Sequence, residues 1–173
     1  IIAQGVDAIE LDGNSPATAG QIVQQARDLG FEGVILRTGG PATQEIVNVA
    51  GEAATEGMFV HSAFDPGVES AKAYEERFTS TYNEPMNGFS PFFYDGTKML
   101  FQAMRDAGTV EDTEAVKTAL ENISDYQGIL GTMNWTGEDR YGIAHQLDSP
   151  FYIARVDGGE EVIVARCTSD GCE

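Results

Sequence analysis

The sequence predicts an α/β fold: a doubly wound parallel sheet in the first 63 residues, followed by a mostly helical segment. Residues 6–60 alternate short apolar runs with segments of helical periodicity, the pattern of strands and helices in such a sheet. Glycines and small polar residues follow the first two predicted strands, at 13–16 and 38–41. Ligands of open parallel sheets bind where such loops leave the carboxyl ends of the strands. We therefore expect a binding site at this edge.

The first part of the chain is predicted to contain three strands and two helices. The strands are predicted at 7–11, 33–36 and 57–60. The first helix begins at Pro16 with Ser15 as its N-cap and ends at Gly30, and the second opens at Pro41 and runs through Val49. Helical spacing predicts these inward residues: Ile22, Val23, Ala26 and Leu29 in the first helix, and Ile46, Val47 and Ala50 in the second.

The pattern changes near residue 63, where helices become predominant. Helices are predicted at 68–82, 90–107 and 112–122, then extended chain at 128–135, a turn at 137–141, and a hairpin of 151–156 with 161–165 around Asp157-Gly158-Gly159. The residues expected to face inward are Ala71, Tyr74, Phe78 and Tyr82 in the first of these helices, Phe93, Gly96, Leu100, Ala103 and Ala107 in the second, and Ala115, Ala119 and Leu120 in the third.

Composition limits the classes of partner. The 173 residues are 42% hydrophobic, which is enough for a packed core, and 28 acidic residues against 10 basic ones give a net charge of -18. Nucleic acids and anionic membranes require clustered Lys and Arg, so neither is an expected partner. A lysine-poor, acidic surface fits either adaptation to high salt or an ordinary acidic secreted protein, and composition leaves both open.

The two cysteines, Cys167 and Cys172, lie close together near the end of the chain. No histidine or second cysteine pair is nearby in sequence, so a zinc site would lack half of its ligands. We predict a small disulfide loop in preference to two free thiols, and hence an oxidising compartment.

Signals for catalysis are absent from the sequence. His61 and His145 lack metal-ligand or triad spacing, and neither a nucleophile elbow nor a Walker lysine is present. Carboxylates are so abundant that neither Asp12 nor Asp95 stands out as a catalytic acid. We therefore predict no catalytic residue, no metal and no cofactor.

A series of short motifs runs through nearly the whole chain. In order they are D-x-I-x-x-x-G-x-x-P from Asp7, Q-A-R-x-L-G-F from Gln25, N-x-A-G-E-A-A-x-E-G-M from Asn48, Y-E-E-R-F-x-x-x-Y-N-E-P from Tyr74, F-Y-D-G-x-K-M-L-x-x-A-M from Phe93, G-T-M-N-W from Gly131 and the final strand from Phe151. This order resembles the type I periplasmic binding proteins of the branched-chain amino acid transport kind.

The resemblance implies how the chain is organised. Members of that family have two α/β lobes joined by three crossovers, with a solute clamped between the lobes. Residues 1–63 would be the latter part of the second lobe, 64–150 a segment that returns to the first lobe, and 151–173 a hairpin that crosses back together with the tail. The chain would then be the C-terminal half of such a protein, with the N-terminal half absent.

The resemblance also implies which residues contact the solute. In amino-acid-binding members, the loop that matches Asn14 and Ser15 supplies a side chain to the solute. The loop that matches Thr38 and Gly39 often supplies a carboxylate for the α-ammonium group, but no acid stands there in this sequence. Either the counter-charge comes from elsewhere or the ligand is not a simple α-amino acid. Phe89 matches an aromatic wall beside the ligand, and a core aromatic at a helix start is an equal alternative.

The function that follows is that of an extracytoplasmic solute receptor of an ABC importer, partnered by the permease and binding a small polar organic molecule such as an amino acid or a related amide or acid. The ligand-sensing domain of a signalling receptor is the main alternative, and an enzyme is the third. Without a first lobe to cover them, the helices of 64–150 would expose apolar residues, so we expect self-association of the chain.

Overall fold

The computed structural model describes residues 2–62 and 64–173, and the chain divides into two units. Unit 1 comprises Ile1–Ala63, Phe151–Cys167 and Cys172–Glu173, and unit 2 comprises Phe64–Pro150 and Thr168–Gly171. Ala63, at which the sequence predicts a change of lobe, lies outside the described residues. The predicted lobe assignment of each segment stays a prediction.

Unit 1 contains a mixed sheet and three helices. Its strands are β1 (Ala8–Glu10), β2 (Val34–Arg37), β3 (Phe59–Ser62), β7 (Phe151–Asp157) and β8 (Glu160–Thr168), and its helices are α1 (Pro16–Asp28), α2 (Thr43–Ala50) and α3 (Glu52–Thr55). The strand order is β1-β2-β3-β7-β8-β9, in which β9 is Gly171–Cys172. The first three strands are parallel, as predicted, and β7 and β8 continue the sheet in antiparallel orientation.

One face of this sheet forms the core of unit 1. Ile35 on β2, Val60 on β3 and Ala154 on β7 pack against apolar residues of α1 and α2, among them Val23 and Ile46. The opposite face of the sheet is more open. Val34 points to that face and is 45% exposed, whereas its neighbour Ile35 is fully buried. Strand alternation explains the difference, because successive side chains point to opposite faces.

The predicted helices and strands of unit 1 are present, with three local corrections. The Ser15 hydroxyl accepts a hydrogen bond from the Thr18 N–H at 3.2 Å and caps α1, as predicted. Leu29 was expected to face inward but is 73% exposed, because it occupies the C-cap position after the last helical turn. The second helix begins at Thr43 and not at Pro41, and the third strand runs from Phe59 to Ser62, two residues later than predicted.

The C-terminal hairpin and the disulfide agree with the predictions. β7 and β8 are joined by a turn in which Gly158 and Gly159 have φ angles of 59° and 85°, a conformation that glycine adopts without strain. Cys167 and Cys172 form a disulfide, and the backbones of Arg166 and Glu173 exchange two hydrogen bonds of 2.9 Å beside it. The disulfide thus closes a short hairpin at the end of the chain.

Unit 2 is mostly helical and contains a small antiparallel sheet. Its helices are α4 (Glu69–Tyr82), α5 (Ser90–Ala107), α6 (Thr113–Glu121) and α7 (Glu138–Tyr141), and its strands are β4 (Tyr126–Gly128), β5 (Gly131–Thr136) and β6 (Gln146–Asp148). Asp112 caps α6 by accepting from the Ala115 N–H at 3.1 Å. Residues 128–135, which were predicted as a single extended segment, contribute to a hairpin. The chain reverses after Gly128, and β4 pairs with β5 in antiparallel orientation.

Asp95 fixes that turn from within unit 2. Its side chain is almost fully buried, and its two carboxylate oxygens accept the backbone N–H groups of Ile129 and Leu130, each at 3.0 Å. A Cβ atom on Gly128 would collide with this carboxylate, so the turn approaches α5 as closely as glycine allows. Asp95 therefore connects α5 to the β4–β5 hairpin.

The face of α5 that helical spacing marks as apolar is largely exposed in this chain, which agrees with the expectation that the helices of 64–150 expose apolar residues. The residues that are buried are Pro91, Asp95, Met99 and Ala103, and of the predicted set only Ala103 belongs to them. Phe93 is 74% exposed and Leu100 is 37% exposed. Two faces of α5 carry apolar residues at helical spacing. The face that carries Asp95 and Met99 is the one that is buried within the described residues. Tyr82 on α4 is likewise exposed, at the last residue of its helix.

Candidate functional site

The candidate site lies at the carboxyl ends of β1 and β2. These strands are parallel neighbours, with Glu10 paired to Leu36, so the loops that follow them leave the sheet at the same edge. The first loop carries Asp12 and Asn14, and the second carries Thr38 and Gly39. Such an edge is where open α/β sheets bind their ligands.

Asp12 joins the two loops. Its Oδ2 accepts the hydroxyl of Thr38 at 2.8 Å, and its Oδ1 accepts the backbone N–H of Gly39 at 2.6 Å. A Cβ on Gly39 would lie 2.7 Å from Asp12 Oδ1, so a larger residue at this position would require the Asp12 carboxylate to move. An ionised carboxylate has about four acceptor positions, of which these bonds use two. The exposed Asp12 carboxylate therefore keeps acceptor capacity at the edge of the sheet.

Glu10 adds a second carboxylate at the same edge. One of its oxygens, Oε1, accepts the N–H groups of Leu11 at 3.1 Å and Asp12 at 3.0 Å, and the N–H of Thr38 at 3.3 Å. The Glu10 side chain thus orders the backbone on either side of the Asp12 contact. The edge thus carries two carboxylates, while the Arg37 guanidinium at the end of β2 donates to the Gly40 carbonyl at 2.6 Å.

Asn14 and Ser15 use part of their polar capacity within their own loop. The Asn14 Nδ2 donates to the Leu11 carbonyl at 3.0 Å, which orients the amide. The Ser15 hydroxyl, besides capping α1, lies 2.9 Å from the Thr18 hydroxyl. Thr38 and Gly39 are also engaged, because their donors face Asp12. Of the four predicted site residues in unit 1, Asn14 therefore keeps the most side-chain hydrogen-bonding groups for a ligand.

His61 and Arg37 lie near the ends of β3 and β2. In the described part of the chain, His61 Nδ1 and Arg37 Nε are buried atoms that have no hydrogen-bond partner. Burial lowers the pKa of His61, while the negative charges of Glu161 and Asp12 oppose that shift. The His61 ring packs edge-on against Phe151, with 5.8 Å between the ring centroids. The neutral imidazole is thus the favoured form at neutral pH.

Phe89 belongs to unit 2, whereas the other predicted site residues belong to unit 1. It immediately precedes α5 and is half exposed, on an open aromatic groove between α4 and α5 whose walls include Tyr74, Phe78 and Phe93. Arg77 stacks on Tyr74 and Tyr94 in the same region, at 5.6 and 5.1 Å from the ring centroids. Phe89 is therefore a half-exposed aromatic residue within this chain.

Sequence reasoning missed Asp12. The loop after β2 contains no acidic residue. The Asp12 side chain, which belongs to the loop after β1, extends to that second loop and contacts Thr38 and Gly39. The only hint in the sequence is that Asp12 precedes Gly13 at the end of a strand. An acidic residue before a glycine is too common a pair to identify one functional carboxylate. The contact spans 26 and 27 residues of sequence, and only the parallel pairing of β1 and β2 creates it.

Solved structures resemble the fold of this chain closely. A leucine binding protein, LivK, from Thermotoga maritima MSB8 has a TM-score of 0.82 and 24% identity, with 98% of this chain and 47% of that one covered. The substrate binding protein LivJ of a branched-chain amino acid transporter from Streptococcus pneumoniae, in complex with isoleucine, has a TM-score of 0.72 and 23% identity over 94% of this chain and 44% of that one.

A third structure widens the range of ligands among the neighbours. It is a solute binding protein of an ABC transporter from R. palustris in complex with benzoate, with a TM-score of 0.75 and 15% identity over 99% of this chain and 45% of that one. The chain thus spans about half the length of the structures that it matches. No curated protein sequence matches it. None of the described helices is both long and apolar enough to cross a membrane.

The family profile described as periplasmic binding protein matches residues 1–161, which is most of the 173-residue chain. This match agrees with the order of motifs in the sequence and with the fold of the neighbouring structures. The chain belongs to the periplasmic binding protein family.

Proposed function

We propose that the protein is the extracytoplasmic solute receptor of an ABC importer, which binds a small polar organic molecule and does not transform it. The family assignment supports binding as the activity, and its description as periplasmic supports the location. The neighbouring structures are named as binding proteins for leucine, isoleucine and benzoate, which supports an amino acid or a related acid or amide as the solute.

The Asp12 contact is the observation that carries this proposal. An amino acid brings a positively charged ammonium group, and burying that group without an anion is costly. Asp12, held by Thr38 and Gly39, supplies an ordered carboxylate at the strand edge, and Glu10 adds negative charge beside it. We infer that Asp12 is the counter-charge for the ammonium group and that Thr38 and Gly39 position it.

The remaining predicted residues take supporting roles in this proposal. The Asn14 amide, oriented by Leu11, contacts polar groups of the solute, and Ser15 contributes through the start of α1. Phe89 supplies an aromatic wall from unit 2. In the lobe assignment that we propose, residues 1–63 belong to the second lobe, 64–150 return to the first, and 151–173 cross back. The permease is the protein partner.

A thermal-shift screen with leucine, isoleucine, benzoate, amides and ureas tests the proposal. A solute at a hundredfold excess over its Kd stabilises a protein by about 2.7 kcal/mol. We expect an amino acid to raise the Tm, and we expect Asp12→Asn to remove that rise. Asp28→Asn, an exposed acid at the end of α1, is the matched control and should leave the rise intact.

Two results would contradict the proposal. An amino-acid shift that Asp12→Asn leaves unchanged would exclude Asp12 as the counter-charge. Conversion of the bound solute into a product, detected by mass spectrometry of the incubated mixture, would contradict a receptor that only binds. Genes for a permease and its ATPases beside the coding sequence would support the importer in preference to a signalling receptor.

A further inference from the structure

The arginines of unit 1 differ in the partners of their side chains. Unit 1 contains four arginines and no lysine. Arg27 donates to three backbone carbonyls, at 2.6, 3.0 and 3.3 Å. Arg155 and Arg166 each lie 3.7 Å from a carboxylate oxygen. Arg37 is the exception, because its side chain has one partner among the described residues, the Gly40 carbonyl, at 2.6 Å from Nη1.

Arg37 is a positive charge without a counter-ion in the described part of the chain. Its side chain is partly buried, its Nε is fully buried without a hydrogen-bond partner, and no described carboxylate forms an ion pair with it. A guanidinium has five N–H donors, and removing such a charge from water without an anion is costly. The chain has 28 acidic residues, so a shortage of carboxylates does not explain the lack of one beside Arg37. Arg37 therefore keeps charge and donors for an anion from outside the described chain.

Arg37 lies at the same edge of the sheet as Asp12. It is the last residue of β2 and precedes Thr38 and Gly39, whose donors hold the Asp12 carboxylate. Strand alternation directs the Arg37 side chain toward the face that carries the core of unit 1, but its bond to the Gly40 carbonyl keeps the guanidinium at the level of the loop. The loop after β2 is thus bonded to a carboxylate at one point and to a guanidinium at another.

These two opposite charges do not neutralise each other. Asp12 and Arg37 form no ion pair, and each is held by its own contacts with the loop after β2. An α-amino acid carries an ammonium and a carboxylate group on one carbon atom, so an ordered carboxylate and an ordered guanidinium at one edge complement its two charges. A carboxylate is also the group whose geometry matches the guanidinium fork. The charges of this edge therefore match a zwitterion better than an uncharged amide.

We propose that Arg37 binds a carboxylate group of the solute. This inference rests on the proposed function and narrows its solute class to amino acids and other carboxylic acids, because an amide or a urea has no anion for the guanidinium. The bond to the Gly40 carbonyl fixes the orientation of Arg37, and its other N–H groups donate to the solute. For an amino acid, Asp12 binds the ammonium group and Arg37 binds the carboxylate.

An acetate titration tests the proposal without requiring the identity of the whole solute. The Arg37 Nε–H signal in a two-dimensional ¹H–¹⁵N NMR spectrum reports directly on the guanidinium. We expect sodium acetate to shift this signal saturably, and methylammonium chloride at the same ionic strength to leave it in place. Arg155 is the control, because it is exposed and already lies beside Asp157, so its Nε–H signal should not respond saturably. An Arg37 signal that acetate leaves unmoved overturns the proposal.

Three matched compounds separate recognition of the carboxylate from a role in shaping the loop. Leucinol has the ammonium group of leucine without its carboxylate, and 4-methylpentanoate has the carboxylate without the ammonium group. Arg37→Gln should raise the Kd of leucine and 4-methylpentanoate roughly tenfold to a hundredfold and leave that of leucinol unchanged. Arg155→Gln, which removes the same charge from the same sheet, should change none of the three. Equal losses for leucine and leucinol would show that Arg37 only shapes the loop, and would overturn the proposal.

The two small ions also separate this inference from the proposed function. If methylammonium moves the Gly39 amide signal saturably while acetate leaves Arg37 unmoved, the Arg37 inference fails and Asp12 stands as the counter-charge. If acetate moves the Arg37 signal while methylammonium leaves Gly39 unmoved, Arg37 is supported as the carboxylate-binding residue and the role of Asp12 is contradicted.

Discussion

The two units of the chain differ in how they cover their apolar residues. In unit 1 the helices α1 and α2 pack on a sheet, and fourteen buried apolar residues form one core among the residues described. Among the described residues of unit 2, a cluster of four buried apolar residues packs between α5 and the elements that follow it, while Phe93, Leu100 and Phe101 of α5 are exposed. The contrast shows that helical spacing alone does not tell which apolar face of a helix is buried within this chain.

The largest effect is expected from the core of unit 1. Ile35→Ala removes a fully buried side chain from the central region of the sheet, and we expect a loss of about 2–5 kcal/mol in the free energy of unfolding. Val34→Ala, one residue earlier on the open face, should cost less than about 1 kcal/mol. Urea unfolding of both variants measures the difference, and equal losses would show that the open face is in fact covered.

The next effect concerns the polar anchor of unit 2. Asp95→Asn replaces one of the two acceptor oxygens with an NH₂ group, which leaves the N–H of Ile129 or Leu130 without an acceptor. We expect a loss of about 1–3 kcal/mol. Asp106→Asn, an exposed acid on the same helix, should have almost no effect. If both variants unfold at the wild-type temperature, Asp95 does not hold the hairpin to α5.

A smaller effect is expected at the start of α6. Asp112→Ala removes the side chain that accepts from the Ala115 N–H, and loss of such a cap costs about 1 kcal/mol. Glu111→Ala, the neighbouring exposed acid, controls for the change in charge. Differential scanning calorimetry compares the two, and a Tm decrease in the control alone would contradict the role of Asp112.

The smallest effect is a pH dependence that belongs to unit 1. Burial lowers the pKa of His61 below its ordinary value of 6.5, so the unfolded chain binds a proton at a pH at which the folded chain does not. The free energy of unfolding should therefore fall as the pH decreases from above 6.5 through the lowered pKa, and the His61 contribution should level off below it.

His61→Gln tests this pH dependence. Urea unfolding at about pH 7.5 and about pH 5.5 should show a smaller pH effect in the variant than in the natural chain. His145→Gln is the matched control, since His145 is exposed and lies 2.7 Å from Glu121 in unit 2. A variant with an unchanged pH effect would show that His61 does not titrate differently in the folded state.

Local signals explain what the sequence could predict of the fold. Ser15 before Pro16 predicted the start of α1, and the Gly158-Gly159 pair predicted the turn of the β7–β8 hairpin, because caps and tight turns depend on a few adjacent residues. The Cys167–Cys172 disulfide was predictable for the same reason, since the two residues are close in sequence.

Long-range contacts explain what the sequence could not predict. Asp12 meets Thr38 and Gly39 only because two parallel strands end side by side, and no pattern in either loop specifies the pairing. The burial of Asp95 in α5 could not be predicted either, because its partners are the N–H groups of Ile129 and Leu130, more than thirty residues away in sequence. In both cases a carboxylate accepts hydrogen bonds from donors that are distant in sequence.

The proposed function requires that a solute bind at the strand ends of unit 1 beside Asp12. Two-dimensional ¹H–¹⁵N NMR detects even weak binding, and the Gly39 amide, whose N–H donates to Asp12, reports directly on that carboxylate. The chain is titrated with the compound that gives the largest thermal shift. We predict that the Gly39, Thr38 and Asn14 amide signals move together and saturate, and that Asp12→Asn abolishes the change. Saturable shifts confined to residues of unit 2, with the Gly39 signal unmoved, would contradict the account.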